Sequence, residues 1–80
     1  MEAMERLEAA RVAVEAAARA VARAVHELDR VNRSTGAGSP ASGDARRALT
    51  LAEMEQGRAV AVVALLMRGV DPDRFAGRRP

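Results

Sequence analysis

The chain has no cysteine, no lysine, no tryptophan and no tyrosine, and Phe75 is its one aromatic residue. Without cysteine there is neither a disulfide nor a thiolate metal site. A single histidine, His26, does not make a zinc centre, and no carboxylates stand beside it at ligand spacing. No metal and no cofactor is therefore expected. The lack of aromatics removes the stacking platforms on which single-stranded nucleic acids are held. Long hydrophobic runs are also missing. The longest uncharged apolar stretch is Ala59–Met67, far short of the roughly 20 residues that cross a bilayer as a helix. Met1–Arg11 is charged and periodic, unlike a secretory leader. These features lead to the expectation of a cytoplasmic protein with no membrane segment.

Charge of one sign is scarce too. Residues 1–33 carry six acids and six arginines, and residues 34–80 carry five acids and seven arginines, giving a net charge of +2. No block of basic residues marks a nucleic-acid arm. Arg74, Arg78 and Arg79 near the end could grip phosphate but not read bases.

What the chain has in quantity is alanine, arginine and valine. Alanine is the best helix former and a poor core filler. Eighty residues form at most one domain, and a domain of this size buries too little surface to be comfortable alone. With disulfides and metals excluded, association is the remaining source of stability.

Residues 2–32 contain no glycine, proline or serine and read as one helix. Glu2, Glu5 and Glu8 lie in its early turns and Arg30 and Arg33 at its end, as the helix dipole favours. Met4, Leu7, Arg11, Val14, Ala18, Val21, Val25, Leu28 and Asn32 alternate at spacings of three and four, a heptad seam. Ala3, Ala10, Ala17, Ala24 and Val31 run beside it at strict sevens. Small residues along a seam let a second helix approach closely.

Residues 33–43 are rich in Gly, Ser, Thr and Pro and read as a flexible linker. A second helix is expected from about residue 44 to 68. Ser39-Pro40, Ser42 and Asp44 are its alternative starts. Its seam is Ala45, Leu49, Ala52, Gln56, Ala59, Val63, Leu66 and Val70. Between Ala59 and Val70 only Arg68 is charged, and a helix apolar on all faces is covered on all faces. Gly69 should cap this helix. Asp71-Pro72 should open a short helical turn ending near Ala76, which would fold Phe75 onto the hairpin before a loose tail at 77–80.

The expected architecture is all-α: one domain over residues 1–80, a long antiparallel helical hairpin with a short C-terminal turn, pairing into a four-helix bundle. No catalytic grouping is present. Gly36-Ala37-Gly38 lacks the lysine and the strand–helix setting of a phosphate loop. His26 is expected on the outer face of the first helix. Arg11 and Gln56 are polar residues on apolar seams, where they fix register or oligomer state at a cost in stability. Glu8 and Glu15 could pair with Arg11 within the helix. The expected function is protein–protein interaction without enzyme activity, with a homodimer or a larger protein as partner. Val60, Val62, Val63, Leu65, Leu66, Met67 and Phe75 are the expected interface. The alternative is a small dimeric regulator linked to nucleic acid, of the antitoxin kind.

Overall fold

The computed structural model describes residues 2–72 and contains two helices, α1 (Glu2–Thr35) and α2 (Pro40–Met67). They pack against each other as an antiparallel hairpin. At 1.5 Å per residue the 34 residues of α1 span about 51 Å, which matches the 50 Å long dimension of the molecule.

The helices meet along a seam with alternating three- and four-residue spacing. In α1 the covered residues are Leu7, Ala10, Val14, Ala17, Val21, Ala24, Leu28 and Val31. In α2 they are Ser42, Ala45, Leu49, Ala52, Gln56, Ala59, Val63, Leu66 and Val70. The second list is the sequence-expected seam with Ser42 added. The first differs from expectation. The alanine row at strict sevens is the centre of the contact, and Met4, Arg11, Ala18 and Val25 lie outside it. Two adjacent rows of α1 could each complete the period. The row with Ala10, Ala17 and Ala24 lets the backbones come closer, so more of the larger side chains in the companion row touch the partner helix.

The connection is also shorter than composition suggests. Residues 33–35 continue α1 and residues 40–43 open α2, leaving Gly36–Ser39 between them. Several of the Ser, Thr, Gly and Pro residues of the supposed linker cap or tie the helix ends instead. Gly36 adopts φ +88° and its N–H donates to the Asn32 carbonyl at 3.0 Å, closing α1 with a left-handed cap. Ser39 N–H donates to the Gly36 carbonyl at 3.2 Å. Ser39 is the N-cap of α2, its hydroxyl accepting from Ser42 N–H at 3.1 Å, and Pro40 follows at the first helical position. Thr35 Oγ1 donates to the Val31 carbonyl at 2.9 Å and lies 2.8 Å from Ser39 Oγ. The Ser42 hydroxyl donates to Asn32 Oδ1, joining the two helices just inside the turn. Ser42 is wholly buried, and no buried side-chain polar atom among the described residues lacks a partner.

The far end of α2 closes with both bonds of a Schellman cap: Gly69 N–H to Leu66 O at 3.0 Å and Val70 N–H to Leu65 O at 2.9 Å. Gly69 takes φ +76° with nothing within 4 Å of where a Cβ would stand. Gly69→Ala should therefore cost about 1 kcal/mol through backbone strain alone. Gly57→Ala, in open space inside α2, should instead stabilise by about 1 kcal/mol. Thermal melts of the two variants should move in opposite directions. A shared direction would contradict the cap or the helix interior assigned here.

Of the turn expected over Asp71–Ala76, only Asp71 and Pro72 fall within the described residues. Phe75 and the expected tail at 77–80 lie outside them.

Candidate functional site: the flanks of the hairpin

Few side chains are removed from solvent. Among the described residues the buried ones are Ala10, Val31, Ala45 and Ser42. Seven large apolar side chains are instead exposed by half or more: Met4, Val12, Val25, Leu51, Met54, Val60 and Met67. Two helices can cover only one stripe of each other. An apolar residue off that stripe has nothing within the hairpin to pack on.

Where these residues lie follows from the helical period. Beside its seam, α1 carries Arg6, Ala13, Ala20 and Glu27 on one flank, and α2 carries Ala48, Glu55, Val62 and Gly69 on the corresponding one. These flanks share one side of the hairpin. Arg6 pairs with Asp71 at 3.1 Å and lines a shallow depression with Ala9, Ala10, Val62, Leu66 and Pro72. The other two flanks therefore share the opposite side. They hold Met4, Arg11, Ala18 and Val25 from α1, and Arg46, Glu53, Val60 and Met67 from α2, and all eight are exposed.

The structure thus divides the expected interface. Val63 and Leu66 are seam residues against α1, and Val62 and Leu65 are half-buried. Val60 and Met67, 50% and 68% exposed, are the two left open. Gln56 sits half-buried on the seam as expected. Arg11 does not: it is exposed on the flank, and Ala10 occupies the seam in its place. Neither Glu8 nor Glu15 pairs with it. Met4 and Val25 were assigned to the seam by the sequence. Their role as exposed flank residues became visible only once the alanine row was placed at the centre.

Several of the remaining charged groups are satisfied locally. Arg30 grips Glu27 through two bonds, and Arg33 pairs with Asp29, Arg47 with Asp44, and Arg58 with Glu55, all within one helical turn. The bond from Arg30, reinforced by its charge, holds the Glu27 carboxyl below the ordinary carboxylate range and raises Arg30 in turn. These pairs are exposed and stiffen the helix surface slightly. His26 lies, exposed as expected, in a shallow surface depression with Asp29, Arg30, Arg33 and Ser34. Both arginines in it, Arg30 and Arg33, are already paired with carboxylates, and Ser34 makes no hydrogen bond to the imidazole that would prepare it as a nucleophile.

No group of three or more metal-binding side chains occurs among the described residues. No helix among them is long and apolar enough to cross a membrane. The chemistry on view is that of a surface: a largely apolar side with two cations, Arg11 and Arg46, and one anion, Glu53, set into it. Comparison with protein-family models, with curated proteins and with solved structures finds no match for this sequence.

Proposed function

We propose that this chain is a helical assembly module, a small accessory subunit that works by packing its exposed hairpin face against another helical surface. The observation that carries the reading is the mismatch between core and surface. Among the described residues only three apolar ones are buried, Ala10, Val31 and Ala45, while seven large ones stand open. Such a hairpin gains little from its own packing and much from covering Met4, Val25, Val60 and Met67. The natural completed form is a four-helix bundle, in which two hairpins share one core.

Nucleic-acid-linked regulation is the weaker reading. Among the described residues, Arg6, Arg30, Arg33, Arg47 and Arg58 are each engaged by an acid, and the other five arginines are spread along both helices without forming the block of like charge that a phosphate backbone needs.

The test is the mass of the purified chain in solution, by light scattering across a range of concentrations, with helicity followed by circular dichroism. Association accompanied by a cooperative melt is the expected result. A chain that stays monomeric, fully helical and cooperatively folded at high concentration would overturn the proposal.

A further inference from the structure

Resting on the assembly reading, we infer that the partner is a second copy of this chain, docked antiparallel through the face that carries Met4, Arg11, Val25, Glu53, Val60 and Met67. Three observations support that occupant.

The first is area. A compact protein of 8.5 kDa exposes about 4,700 Å², whereas this chain exposes 6190 Å². The surplus, about 1,500 Å², exceeds the roughly 800 Å² that each partner buries in a standard interface. The shape agrees, since the radius of gyration is 16.4 Å against about 12 Å for a compact chain of this length. A second hairpin of the same length covers a slab of 50 × 30 × 14 Å along its whole face. A smaller partner would leave part of it open.

The second is charge. Arg11 and Glu53 are the central ionic groups on the face, and neither has a partner among the described residues. They cannot neutralise each other within one chain. The register set by Asn32–Ser42 and Arg6–Asp71 puts Glu53 level with about Ala22, roughly 16 Å along the axis from Arg11. A two-fold axis across the helices at the level of Ala17 and Val60 removes the difficulty. It brings Arg11 of one copy level with Glu53 of the other, at two symmetric places. A parallel arrangement would instead set Arg11 level with Arg11, which is repulsive.

The third is the apolar pattern under the same operation. Val60 meets its own copy at the axis. Met67 comes level with Val25 on either side, and Met4 falls under the alkyl stem of Arg46, whose guanidinium reaches water. A face complementary to itself under a two-fold rotation is what an isologous dimer requires.

The experiment measures the dimer dissociation constant of the full chain by sedimentation. Val60→Glu and Met67→Glu should each weaken it by at least about a hundredfold, since a charge would be buried without a partner. Leu51→Glu, equally apolar and exposed but on the outer side of α2, should leave it unchanged. Arg11→Glu and Glu53→Arg should each weaken it about tenfold, and the double variant should recover to within about threefold of the parent. Should a dimer persist unweakened in Val60→Glu and Met67→Glu, assembly stands but this face is wrong. Single charge reversals that weaken without rescue in the double variant would overturn the antiparallel arrangement. A wild-type chain that is folded and monomeric, or that pairs only when a different protein is added, would overturn the second copy as partner. The first of those two results would sink the assembly reading as well.

Discussion

Enlarging Ala45 to leucine should be among the most damaging single changes available to this protein. Ala45 is 8% exposed and lies directly after buried Ser42 on the α2 seam. Three added carbons have nowhere to go unless the helices separate, and separation also stretches the Ser42–Asn32 hydrogen bond. Overpacking of this kind costs typically 1–3 kcal/mol. For a domain of this size that lowers the melting temperature by roughly 5–20 °C. The control is Ala61→Leu, which adds the same carbons at an exposed position on the same helix and should leave the melt within a few degrees of the parent. Equal melting of the two variants would mean that the alanine row is not where the helices touch.

Gln56→Leu should act in the opposite sense. Gln56 interrupts an otherwise apolar or small seam, half-buried between Ala52 and Ala59, and its amide makes no hydrogen bond among the described residues. Leucine there should add about 1 kcal/mol of burial, raising the melt by about 4–8 °C. The cost falls on specificity. A polar residue on a seam disfavours registers that would bury it deeper, so the variant should melt higher but populate more than one assembled mass. A lower melting point, or a higher one with a single sharp mass, would show that Gln56 does not set register.

How much of this could be read from the sequence depended on what each residue does twice over. The heptad period of both helices was visible because large and small apolar residues recur every seven positions. The α2 seam could be placed without ambiguity, since Glu53, Glu55 and Arg58 mark its wet side. In α1 two rows fit the period equally well, and side-chain size pointed to the one with Met4 and Val25. Packing chose the row with Ala10 and Ala17, because close approach of two backbones rewards small residues. The turn was misjudged for a different reason. Serine, threonine, glycine and proline serve both as linker and as helix cap, and composition does not tell them apart. The hydroxyls of Thr35, Ser39 and Ser42, each engaged by a neighbour in the fold, settle it for Gly36–Ser39. The open face of the hairpin was legible in part: Val60 and Met67 belonged to the expected interface and Glu53 to the solvent side, while Arg11 was expected on the seam.

The alanine rows carry a mechanical consequence. Bulky side chains interlock two helices like cogs, and sliding one past the other means lifting each tooth over the next. Methyl groups make shallow teeth. A hairpin whose contact alternates Ala10, Ala17, Ala24, Ala45, Ala52 and Ala59 with larger residues has only every second tooth to resist axial slip. Its alignment leans on that companion row, Leu7, Val14, Val21 and Leu28 in α1, and on the ties at its two ends, Asn32–Ser42 beside the turn and Arg6–Asp71 at the opposite pole. Pulled lengthwise, the pair would catch on its few large teeth and on its tied tips, with the alanines sliding freely between them.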